Sequence, residues 1–150
     1  MADPMDMLAA FKALVETVPE LTGRVDEALD LAALLKTGNV PNRPVTGWVI
    51  PSGLRPRSQG DAGTGVFTQA VDEHFALVLA LRSGGDATGG KLAPRLNVLV
   101  WAVIAKGVGA DPANTVPGVF RLVGGQTLSL SAGLVIYQLD VALQLQLRTM

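Results

Sequence analysis

From Tyr137 to Arg148 the chain alternates without interruption, a pattern that suits a strand and not a helix. Tyr137, Leu139, Val141, Leu143, Leu145 and Leu147 share one parity; Gln138, Asp140, Ala142, Gln144, Gln146 and Arg148 share the other. Successive side chains on a strand point to opposite faces, so one face of this segment is expected to be covered. A one-residue slip would turn the whole leucine set toward water, which fixes the register. The polar set suits a water-facing surface, a subunit-packing surface or the wall of a pore, since uncharged glutamines hydrogen-bond without strong fields. Gln138, Asp140, Gln144, Gln146 and Arg148 are therefore candidate pore or subunit-interface residues.

Val66 to Arg82 carries a second period-two pattern. Phe67, Val71, Phe75, Leu77, Leu79 and Leu81 lie on one parity and Thr68, Asp72, His74 and Arg82 on the other, again predicting one covered face. Thr46 to Ile50 predicts a short buried strand between prolines, Val119 to Val123 another, with Gly124-Gly125 a turn or bulge, and Gly23 to Asp26 a short edge strand. Helical spacing marks Leu8, Phe11, Leu14, Val15 and Val18 after Asp3-Pro4, a capping residue followed by proline at the first helical position. A shorter helix is expected over Glu27 to Lys36, and a strongly apolar one over Leu92 to Ala105, packed across the sheet. The sum is an α+β fold, an antiparallel or mixed sheet of about four main strands packed against helices. At 150 residues it is expected to form a single domain over residues 1–150.

Hydrophobic residues make up 49% of the chain and charged residues 17%, which excludes disorder and hints at apolar surface covered by other subunits. A net charge of −1 gives no basic stripe for nucleic acid. The absence of cysteine removes disulfides and thiolate metal sites. Met1-Ala2-Asp3-Pro4 lacks the basic start and apolar run of a signal peptide, and Val98 to Ala105 falls far short of the about 20 residues that span a bilayer. A soluble intracellular protein without membrane contact is expected.

No constellation for catalysis emerges. Gly85-Asp86-Ala87-Thr88-Gly89-Gly90-Lys91 has the spacing of a phosphate-binding loop, but Leu92 stands where a magnesium-holding hydroxyl is needed. His74 is the only histidine; Glu73 points away from it on a strand, and Asp72 with His74 makes an incomplete site. There is no G-x-S-x-G elbow. Trp48 and Trp101 are expected as core anchors. Ser52 to Gly65, with four glycines, reads as a long loop, and long loops in small domains are often functional. Its Arg55, Arg57 and Asp61 are candidate partner-contact residues. No enzyme activity and no cofactor are expected.

The succession of segments points to a family. A helix ending in Val18-Pro19-Glu20-Leu21 is followed by Val45-Thr46-Gly47-Trp48-Val49-Ile50-Pro51, then by the loop Gly60-Asp61-Ala62-Gly63-Thr64-Gly65. Next come Val66-Phe67-Thr68-Gln69-Ala70-Val71-Asp72-Glu73-His74-Phe75-Ala76-Leu77-Val78-Leu79-Ala80, a helix, Gly124-Gly125 and the long strand ending in Leu147-Arg148. Nearly the whole chain in this way resembles the phage tail terminator proteins, with Val66 to Leu81 the most recognisable part. The resemblance implies a virion protein of the tail and neck, present in the host cytoplasm during assembly. It implies a homohexameric ring that caps the head-proximal end of the tail tube, ends tube polymerisation and offers the head-tail joining surface. Implied partners are the chain itself, the tail tube protein, a head connector or completion protein and, in contractile tails, the sheath protein, with DNA only in transit. Another head-tail connector, head-completion or minor tail protein of the same small α+β type is the alternative, and a nucleotide-binding enzyme using Gly85 to Lys91 a third.

Overall fold

The computed structural model describes residues 4–29, 43–63, 65–83, 90–110, 119–131 and 133–149. Its centre is a pair of strands, β3 (Phe67–Arg82) and β5 (Leu134–Thr149), that run antiparallel without a register shift from Phe67↔Thr149 to Arg82↔Leu134. Both are the alternating segments of the sequence. β2 (Val45–Pro56) adds antiparallel to β3, and β4 (Arg121–Ser131) antiparallel to β5. β1 (Val25–Glu27) joins the edge of β2 in parallel, giving a five-stranded mixed sheet in the order β1-β2-β3-β5-β4. The short strand expected near Gly23 to Asp26 is this edge. With α1 (Pro4–Glu16) and α2 (Leu92–Gly107) the fold is α+β, as the patterning predicts.

The leucine parity of the two central strands faces the helices. Leu77, Leu79, Leu81, Leu139, Val141 and Leu143 pack with Met7, Leu8, Phe11 and Val15 of α1 and with Leu92, Leu99, Val100 and Val103 of α2. At the middle of this layer three rings meet. Phe11 lies 5.9 Å from Phe75 and 5.3 Å from Phe120, and Phe75 lies 6.0 Å from Phe120 in an edge-on arrangement. Such contacts add to the area the rings bury.

The expectation of one covered face holds only in part. Ala76, Val78 and Ala80, on the opposite face of β3, are buried in a second cluster with Trp48, Ile50 and Ile136. β3 lies in the middle of the sheet, and small apolar residues on its second face can be covered without spoiling the alternation on the first. Trp48 is the core anchor the sequence suggested. Trp101 is not, for 61% of it is exposed on α2. Trp101→Ala is accordingly expected to change unfolding free energy by no more than about 0.5 kcal/mol, as at other surface sites, which a denaturant titration measures.

Two strands are longer than their sequence signals. β2 continues through Pro51 to Pro56, taking in the first part of the expected Ser52 to Gly65 loop, by way of a register shift between Pro51 and Gly53. The bulge accommodates both residues that hid the strand: a proline without an N–H, and Gly53 at φ +119°, open only to a residue without a side chain. β4 likewise runs on past Gly124-Gly125, which flank a register shift and do not end the strand. The helix expected over Glu27 to Lys36 lies largely outside the described residues, and Glu27 itself closes β1. Most of Gly85 to Lys91 also lies outside them.

Candidate partner-docking site

β3 and β5 project a polar surface from the face that lies away from the helices, toward the end of the sheet that carries Pro56 and Phe67. Asp72 is its centre. The residue is 7% exposed, and its Oδ2 accepts a hydrogen bond from Arg121 Nη2 at 2.7 Å and an ion pair from Arg57 Nε at 3.3 Å. Arg57 Nη1 in turn donates to Gln144 Oε1 at 2.8 Å. Register explains the meeting: Asp72 stands opposite Arg55 on β2 and opposite Gln144 on β5, while Arg121 on β4 stands opposite Ala142. Residues from four strands thereby reach one patch. Asp72 Oδ1 is buried without a hydrogen-bond partner among the described residues.

The guanidiniums stay half in water, with side-chain exposures of 46% for Arg57 and 42% for Arg121. Each has more donors than Asp72 and Gln144 consume, because a guanidinium carries five N–H groups in a fixed fork. Held by a carboxylate, they present their remaining donors in set directions, an arrangement suited to receive oxygen acceptors from another molecule. Arg55, exposed on the same face, adds a third positive charge.

The candidates read from the sequence fall into place unevenly. Arg55 and Arg57 come to the Asp72 patch. Asp61 lies in the following loop, where its Oδ1 accepts the Gly63 N–H at 2.9 Å and its backbone bridges to Thr68. It shares a hollow of about 330 Å³ with Gln146. Gly60, at φ +87° in the same turn, lies so close to the Phe67 ring that a Cβ there would enter it. Gln138, Asp140, Gln144, Gln146 and Arg148 share one face of β5, with Gln138 Nε2 donating to Asp140 Oδ1 at 2.7 Å. Asp72 and Arg121 were not among the interface candidates. Asp72 had a signal, its place in the polar parity of β3; Arg121 had none, since only the β4–β5 register brings it near.

A second surface lies on the helix side. Leu96, Val100, Trp101 and Ile104 of α2 face Leu122 and Tyr137 across an apolar groove of about 400 Å³. It borders β4, the long free edge of the sheet, where Leu122, Val123 and Leu130 are about half exposed. Among the described residues no group of three or more His, Asp or Glu could hold a metal ion, and no helix is long and apolar enough to cross a membrane.

A sheet whose ordered surfaces are a carboxylate-anchored arginine patch and an apolar groove has the surfaces of a protein that associates with others. The chain belongs to the phage tail terminator family, whose profile, described as phage tail terminator protein, matches residues 1–149. It is thus a structural protein of the phage tail, associated with other virion proteins. No curated protein matches it. Among solved structures it is similar to a chain from the virion of a native gene transfer agent (GTA) particle, at 16% identity over 92% of this chain and 85% of that one, with a TM-score of 0.44.

Proposed function

We propose that this protein, acting as a single domain over residues 1–150, caps the head-proximal end of the tail tube as a homohexameric ring. It ends tube polymerisation there and provides the surface to which the head joins. The observation that carries this reading is the inequality of the two sheet edges. β1 offers three residues in parallel, whereas β4 offers eleven, with exposed leucine and valine and two register shifts. A closed ring is built from contacts between two different surfaces of each subunit, and edges this unlike supply such a pair more readily than the self-matching patch of a two-fold dimer. The shifts in β4 also discourage open-ended strand addition, which a ring of fixed size must avoid.

In this role the partners are further copies of the chain, the tail tube protein and a head connector or completion protein, with the sheath protein added in a contractile tail. The Gln138, Asp140, Gln144, Gln146 and Arg148 face forms a pore wall or a subunit contact, and DNA meets the ring only in transit. No step of this role requires catalysis or a cofactor.

The test is to add purified protein to polymerising tail tube subunits. Capping predicts tubes that stop elongating, with one ring of density at one end by electron microscopy, and a native mass of six chains by light scattering in solution or on the tube end. Continued elongation with no end-bound protein, or attachment to the capsid portal instead, would overturn the reading.

A further inference from the structure

Among the described residues, the large apolar side chains that stay exposed gather toward the two edges of the sheet. Trp101, Val119, Leu122, Val123 and Leu130 lie along α2 and β4, and Leu29 and Leu54 at the β1–β2 edge. Val98, on another flank of α2, lines a hollow with Pro94 and Arg95. The first set surrounds the groove of about 400 Å³, which no charged side chain lines. Gly125 opens it to bare backbone, for the Tyr137 hydroxyl lies where a Cβ at that position would be. The second set projects. β1 pairs with β2 only at Gly47–Val49, so beyond Pro51 β2 is itself the edge of the described sheet. Leu54 stands opposite Glu73, which stands opposite Leu143, and Leu143 packs against the helices. Leu54 thus lies on the helix side of the sheet, yet it is 58% exposed.

We infer that the groove between α2 and β4 of one subunit receives Leu54, at the outer edge of β2, from a second copy of this chain. The inference rests on the ring reading above and assigns one of its subunit contacts. A closed ring joins two different surfaces of each subunit, here a hollow at one edge and a projection at the other. Rotation about the ring axis turns the same face of every sheet the same way. A groove on the helix side of one edge therefore meets what projects on the helix side of the next edge, and Leu54 does. The chemistry agrees. A charged or polar occupant would lose water in this groove without gaining a partner, whereas a leucine gains by leaving water. Trp101 supplies a large exposed ring at the rim, the kind of side chain that anchors an interface. The surface is also large enough. β4 extends roughly 35 Å at the rise of a strand, with α2 alongside, which is of the order of the about 800 Å² that each partner contributes to a specific contact.

The test uses the full chain, which has no cysteine of its own. Leu54→Cys and Trp101→Cys chains are mixed under conditions in which the wild type assembles, in solution or on tube ends, and treated with a short bismaleimide that joins neighbouring thiols. The mixture is expected to give linked dimers on a denaturing gel, and neither variant by itself to give them. In parallel, Leu54→Asp and Trp101→Ala are followed by light scattering across a concentration range and by occupancy of tube ends, with melting temperatures to establish that each folds. Both side chains are exposed, so each variant is expected to fold and to raise the midpoint concentration for assembly about tenfold or more. If the wild type forms rings while the mixture stays unlinked and neither midpoint moves, this contact is wrong and the ring reading stands. Linked dimers within open chains that never close would keep the contact and overturn the ring. If the wild type assembles neither in solution nor on tubes, both fall. Trp101→Ala that leaves the midpoint unmoved but empties the tube ends would overturn the contact and give the groove to the tube protein.

Discussion

Phe75→Ala is expected to lower the unfolding free energy by about 3–5 kcal/mol, the usual cost of deleting a fully enclosed ring. Phe75 is 0% exposed, and its ring is the one that joins β3 to both Phe11 of α1 and Phe120 before β4. Removing it leaves a void bounded by three separate elements, each held by the central sheet or by a helix, so collapse into the space is limited. Against a total stability of roughly 5–15 kcal/mol, such a loss brings the chain close to unfolding at physiological temperature. The denaturant midpoint should fall with the slope unchanged, because the surface exposed on unfolding is nearly the same. Phe75→Leu, which keeps much of the volume, should cost under about 1.5 kcal/mol. A loss of the same small size for both variants would mean that the three-ring contact is not the centre of the core.

The second large effect belongs to Asp72→Asn, for which we expect about 2–3 kcal/mol and a melting temperature lower by roughly 5–10 °C. The substitution barely alters shape. It removes the anion between Arg57 and Arg121, leaving two guanidiniums to repel each other across an amide oxygen that accepts only as a neutral group. The arginines are half in water, which softens the repulsion and keeps the cost at the lower end of the range for a broken buried pair. Assembly should suffer as well, since the arginines would no longer be held in fixed directions. A double-mutant cycle with Arg121→Met separates the pair from the rest, with a coupling of about 1–2 kcal/mol expected. A coupling near zero would show that Asp72 is held by packing alone.

The central strands were legible in the sequence because period two leaves a mark that needs no partner to be seen. The helix from Pro4 and the helix from Leu92 were legible for the same reason, each carrying its own apolar spacing. What failed was local punctuation. Pro51 and Gly53 signal a turn in isolation, and a bulge uses the same residues without ending the strand; Gly124-Gly125, open in the sequence to a turn or a bulge, stands beside a register shift inside β4. Trp101 failed differently: aromatic size predicts burial inside one chain and says nothing of surfaces kept for others. The arginine patch was half visible. Arg55 and Arg57 stood out in a supposed loop, but Asp72 and Arg121 lie 49 residues apart in the chain, and only register across three strands brings them together.

The order of the strands also governs how this chain reaches its fold. Partners in the β3–β5 pair are more than fifty residues apart in sequence, and that pair is the spine of the sheet. Contacts so distant are slow to form, because the entropy of closing the intervening chain is lost before the pairing rewards it. Until β5 arrives, the run Phe75 to Leu81, apolar on both faces, has only β2 beside it. Folding in the millisecond-to-second range or slower is therefore expected, with β3 the segment most exposed to misassociation on the way.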